Sequence, residues 1–130
     1  MGQQQLLLIV LGVIIVGIAV VVGINLFNAN AEEAAKDGVV SDATNLGAMA
    51  QQHYKKPAAM GGGANAFDAS NGGVIWAIPA QLVTTANGSY AAAVAAQSVT
   101  ITGTPPPASG YLWVTTTVVT PTTITTTGSW

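Results

Sequence analysis

Cysteine and arginine are absent from this 130-residue chain, and charge of either sign is scarce. Without cysteine there can be no disulfide framework, thiolate zinc site, CxxC redox motif or thiol nucleophile. The fold must therefore rely on packing and hydrogen bonds. The basic complement is Lys36, Lys55 and Lys56. A phosphate backbone is held by clustered Lys and Arg, so no nucleic-acid partner is expected. His53 is the single histidine, and a nucleophilic triad needs a positioned base. Its place between Gln52 and Tyr54, near a helix end, favours a surface or sheet-facing role, and no catalytic residue is expected. Glu32, Glu33, Asp37 and Asp42 fall on a solvated segment without EF-hand spacing, and Asp68 stands alone. No metal or cofactor site is expected from them. The triple glycine after Met60 lacks the Lys-Ser/Thr and the strand–helix setting of a phosphate loop.

Apolar surface takes the place of charge. Half of the residues are apolar and 6% are charged, against roughly 25% charged in soluble globular chains. Such a chain needs to bury surface against lipid or against copies of itself. Its length allows one domain plus an extension. From Leu6 to Ile24 there is no charged or strongly polar side chain. About 20 such residues, at about 1.5 Å each in a helix, span the hydrocarbon of a bilayer. A cleavable signal peptide has a shorter apolar part and a basic start; cleavage near Asn28-Ala29-Asn30-Ala31 is the weaker alternative. N-myristoylation at Gly2 wants Ser or Thr where the chain has Leu6. An ordinary single-pass anchor carries flanking Lys or Arg, and none precedes Lys36. One way to account for that is a basic leader already removed, and the expectation is then that Met1 is the first residue of a processed chain.

Met1, then Gln5, then Leu6-Leu7-Leu8-Ile9-Val10 resembles the mature amino terminus of type IV pilins and the related pseudopilins. In that family a hydrophobic or Met residue is followed by Glu at the fifth position and directly by a Leu/Ile/Val run. Two departures carry physical content. Gln5 stands in place of Glu, and Val22-Gly23 stands where the family often has a helix-breaking Pro. The family's Glu is thought to pair with a neighbouring subunit's terminal amine, and a buried ion pair has a large desolvation cost. Gln5 can accept a hydrogen bond from such an amine at lower cost, without long-range charge recognition. The glycines at 12, 17 and 23 each weaken the helix by about 1 kcal/mol relative to Ala. They mark either local unwinding or close helix packing.

Beyond the run, Val39, Ala43, Leu46, Ala50 and Tyr54 recur at intervals of three and four and predict an amphipathic continuation of the helix. Glu32 and Lys36 form an i,i+4 pair of favourable orientation. Lys55 and Lys56 precede Pro57, where cations suit the helix dipole and Pro ends the helix. One helix over this whole stretch would be roughly 80 Å long, with Gly38 and Gly47 as places where it could bend. Residues 57–73 combine Pro, Gly, Asn and Ser and read as a flexible connector. After it the composition turns to Val, Thr, Ile and Tyr. The expected strands are VIWAI, QLVTTA and SYAAAVAA around Asn87-Gly88, QSVTITG, YLWVTTTVVT and TTITTTGSW. Asn87-Gly88 is a strong hairpin signal. These assemble into a small antiparallel meander packed on the apolar stripe, with Trp76, Tyr111 and Trp113 as anchors. Trp130 is expected against the sheet or a neighbouring subunit.

The expected fold class is thus α+β: a long N-terminal helix with a small antiparallel β head on its second half. Its parts are a membrane or fibre-core helix (1–27), the amphipathic continuation (28–56), the connector (57–73) and the head (74–130). This is also the family architecture. The resemblance implies polymerisation through bundled helices, with Met1, Gln5, Leu6, Leu7, Val10, Ile14 and Phe27 as assembly residues. It further implies a membrane location before assembly and an extracellular filament after it. The implied partners are copies of the chain itself, a prepilin peptidase, an assembly ATPase, a membrane platform and, where the cell has one, an outer-membrane channel. A type II secretion pseudopilin and a single-pass envelope protein with a binding head are the alternatives. Asn87-Gly88-Ser89 matches an N-glycosylation acceptor, with the turn as its expected main purpose.

Overall fold

A computed structural model describes residues 2–129. Met1 and Trp130, both assigned roles above, lie outside the described residues. The chain forms two compact units, Met1–Ala34 and Ala35–Trp130. Helix α1 runs without interruption over Gly2–Lys55. It ends where expected, with His53 and Lys55 in the last turn and Pro57 just beyond.

In the first unit the helix passes through Gly12, Gly17 and Gly23 unbroken, and apart from the helix's own neighbouring backbone nothing among the described residues comes within 4 Å of a Cβ built at any of them. The second unit is the folded head. Val39, Ala43, Leu46, Gly47 and Ala50 are its buried helix residues, and Tyr54 is partly buried, so the stripe is the one the spacing predicts. Gly38 and Gly47 do not break the helix. They are points of close approach: a Cβ at Gly47 would lie 3.0 Å from Val119 Cγ2, and one at Gly38 would lie 2.8 Å from Asn87 Oδ1.

The sheet has five strands in sequence order, each antiparallel to the next: β1 (Thr84–Thr85), β2 (Gly88–Val94), β3 (Val99–Thr104), β4 (Thr115–Val119) and β5 (Ile124–Gly128). This is the expected α+β meander. Alternation decides the faces. In β3, Val99, Ile101 and Gly103 are buried while Thr100, Thr102 and Thr104 are half-exposed. The buried face joins Val39, Leu46 and Ala50 of the helix, with Phe67, Trp76, Tyr90, Trp113 and Val119, in one core. Thr115 and Thr117 are also fully buried. The Thr115 hydroxyl donates to the Gly103 carbonyl at 3.3 Å, and Thr117 shares a 3.0 Å hydroxyl bond with Thr126. Both therefore enter the core without an unpaired oxygen.

Four expectations need correction. Val74–Ile78 carries strand-forming residues but joins no ladder; it runs free of bends beside the sheet. Its Trp76 N–H donates instead to the Phe67 carbonyl at 2.8 Å. Most of QLVTTA is also not strand, since Ala80–Leu82 is a short 3-10 turn and only Thr84–Thr85 pair. Pro79 sets up that turn. The hairpin turn falls one residue early, with Ala86 and Asn87 between the paired Thr85 and Gly88. A one-residue slip would carry Tyr90 from the core face to solvent. The 57–73 connector is held rather than loose. Gly63 and Asn65 donate to the carbonyls of His53 and Tyr54, Phe67 donates to Ala96, and Phe67 is fully buried.

Candidate functional site

The apolar part of the first unit is the surface that most needs a partner. Between Leu6 and Phe27 every large hydrophobic side chain is more than half exposed, from 51% at Val22 to 78% at Phe27. The predicted assembly residues Leu6, Leu7, Val10, Ile14 and Phe27 are all among them, and Gln5 is exposed one residue ahead of the run. Spacing puts Leu7, Val10 and Ile14 on one helix face. Exposure does not set that face apart, because the apolar residues cover the whole circumference. An apolar stripe on one side would suit a soluble core, whereas an all-round apolar helix needs lipid or other helices on every side. Burying each such side chain is worth about 1.5–3 kcal/mol, so the unmet total is on the order of tens of kcal/mol. The helix holds an 18-residue window of mean hydropathy 3.3, none of it buried, long and apolar enough to cross a membrane.

In the head, the helix and the β1–β2 hairpin are joined through one carboxylate. Asp42 Oδ2 accepts hydrogen bonds from Tyr90 Oη at 2.7 Å, Thr85 Oγ1 at 2.9 Å and Asn87 Nδ2 at 3.1 Å. Partial burial works to raise the Asp42 pKa, but the bonds from Tyr90, Asn87 and Thr85 outweigh it and hold the carboxyl below its ordinary value. Burial of the Tyr90 phenol, together with its bond to Asp42, pushes that hydroxyl well above its ordinary value. Asp42 is thus no solvated helix carboxylate like those the sequence suggested; it clamps the hairpin to the helix. The signal that could have found it is its place beside Ala43 on the buried stripe. A cavity of about 370 Å³ opens beside it, bordered by Leu46, Met49, Gln52 and Leu82.

Asn87 is exposed, and the side-chain nitrogen that N-glycosylation would use donates to Asp42. Its backbone N–H also donates to Thr85 Oγ1 at 3.2 Å, so the residue works in the turn. His53 Nε2 donates to the Val74 carbonyl and ties the unladdered segment to the helix end. Asp68 accepts from the Ser70 N–H at 2.9 Å in a local turn.

Comparison of the chain with protein-family models, with curated proteins and with solved structures gives no match.

Proposed function

We propose that the protein is the structural subunit of a type IV pilus-like filament, inserted in the membrane through residues 6–27 before assembly and bundled through the same residues afterwards. The observation that carries this reading is the contrast within α1. Residues 6–27 offer an apolar surface that is exposed on all sides among the described residues, whereas Val39–Ala50 buries a single stripe under a sheet. A membrane anchor alone accounts for the first half. The pilin-like order of Met1, Gln5 and the Leu6–Val10 run is what favours a helix that moves from lipid into a bundle of its own kind. In that bundle Gln5 sets axial register by accepting a hydrogen bond from a neighbouring terminal amine, and prepilin peptidase, ATPase and membrane platform act before and during assembly.

Electron microscopy of material sheared from the cell surface tests this reading. Long thin fibres that contain this chain, and that disappear when Ile15→Arg places a charge in the apolar run, are the expected result. A chain that stays in the membrane fraction without fibres would reduce the function to that of an anchored head. Short membrane-bound assemblies would point to the secretion pseudopilin.

A further inference from the structure

Among the described residues, main-chain groups without a hydrogen-bond partner occur at several margins of the head, two of them on opposite sides of the sheet. The first is the outer edge of β5. Thr120 N–H donates to the Thr123 carbonyl at 2.8 Å and Ser129 N–H donates to the Val114 carbonyl at 3.0 Å, which fixes the narrow pairs of the β4–β5 ladder. Thr123, Thr125, Thr127 and Ser129 therefore turn their N–H and C=O groups towards β4. Those of Ile124, Thr126 and Gly128 point the other way, where among the described residues no strand pairs with β5.

The second place is Val74–Ile78. Val74 and Trp76 turn their N–H groups inwards, to the carbonyls of Gly62 and Phe67. Alternation directs the groups of Ile75 and Ala77 to the opposite side, and among the described residues nothing bonds to them. The side chains of Val74 and Ile75 are 52% and 55% exposed. The segment is a strand without a sheet, and β5 is a sheet edge without a strand.

Neither place carries the usual protection of an edge. No charged residue occurs after Asp68, and β5 contains no proline. Long uncharged edges are normally blocked by Lys, Pro or a bulge because they recruit other strands. The two places also lie at opposite margins of the sheet. Val74–Ile78 borders a groove against Tyr90–Val94 of β2, and β5 is three strand positions further on, about 14 Å away. They cannot meet within one molecule.

We propose that Val74–Ile78 of one copy adds as a strand to the outer edge of β5 in a second copy. The main-chain groups of Ile75 and Ala77 then pair with those of Ile124, Thr126 or Gly128. Because the two surfaces differ and lie on opposite margins of the sheet, the contact is head-to-tail and continues from copy to copy, as an open row or a ring. It rests on the filament reading for the meeting of copies and specifies how their heads join.

The cysteine-free chain makes the test direct. The full-length double variant Ala77→Cys/Gly128→Cys, or Ala77→Cys/Thr127→Cys at the exposed neighbouring position, is treated with a short bis-maleimide in isolated fibres or membranes. The expected product is a ladder of covalent multimers well beyond the dimer, while each single-cysteine variant stops at the dimer. Adding Ile75→Pro removes one outward donor and should lower the multimer yield about five- to tenfold, with the thermal melting of the head unchanged. Fibres without a ladder in either double variant would overturn the strand contact and leave the filament reading standing. A ladder without fibres would support the contact and remove the filament reading. Neither fibres nor ladder would overturn both.

Discussion

Residues 6–27 and residues 39–50 belong to the same α-helix and draw on similar small and branched apolar side chains, yet they solve opposite problems. The later stretch buries Val39, Ala43, Leu46 and Ala50 almost completely, because its apolar residues recur on one side and a sheet covers that side. The earlier stretch buries none, because its apolar residues occupy every side. Periodicity, more than hydrophobicity, separates a helix that completes a domain from one that waits for lipid or for other molecules.

The largest effect that would break this comparison is removal of Leu6–Val22. The expected result is complete loss of membrane association and of fibres, with the head recovered in the soluble fraction at an unchanged melting temperature. Next is Phe67→Ala, which empties a fully buried site. It should cost the head about 3–5 kcal/mol in denaturant unfolding and leave membrane partition as it was. Gly47→Val should cost about 1–3 kcal/mol by overpacking against Val119 and Ile124, whereas Gly17→Val, with nothing within 4 Å beyond its own helix backbone, should leave the melting temperature of the head unchanged. That pair asks directly whether the two halves of the helix differ in what surrounds them.

Asp42→Ala should cost about 1–3 kcal/mol, since it strands the partly buried Tyr90 hydroxyl, and it should flatten the pH dependence of unfolding. The Asp42 pKa is lowered by folding, so its contribution is complete above the ordinary carboxylate value of about 4. That contribution is lost as pH falls through the lowered folded value. The Tyr90 pKa is raised, so its contribution is present below about 10 and is lost as pH rises above that. The smallest effect belongs to Gln5→Leu. It leaves the head and the membrane affinity intact, and on the filament reading it alters the regularity of fibres seen by electron microscopy. Fibres that assemble normally with Leu at that position would overturn the register role.

Much of the fold was legible because its signals are local. The stripe from Val39 to Tyr54 follows from intervals of three and four, Pro57 stops the helix, and alternation in VTITGT orients β3. What escaped reading depends on partners far along the chain. Val74–Ile78 has the composition of a strand, but a ladder needs a neighbour in register, and Phe67 and Gly62 take its inward N–H groups first. The Asp42 clamp joins residues separated by 43 to 48 positions, a distance over which no spacing rule operates. The connector looked loose from its glycines, yet its hydrogen bonds to His53, Tyr54 and Ala96 hold it against the helix end and the sheet.

The sequence by itself determined that one end of this molecule is an apolar helix with no polar side and that the other is an antiparallel sheet on an amphipathic helix. Both follow from side-chain periodicity, which acts between residues only a few positions apart. Only the tertiary structure decided which strand-forming segments obtain partners and which carboxylate clamps hairpin to helix. It also decided that an unpaired strand and an unpaired sheet edge end up on opposite margins of one head. Those outcomes depend on which surfaces meet once the chain has closed on itself, and hydrogen bonds between distant residues leave no periodic trace in the sequence.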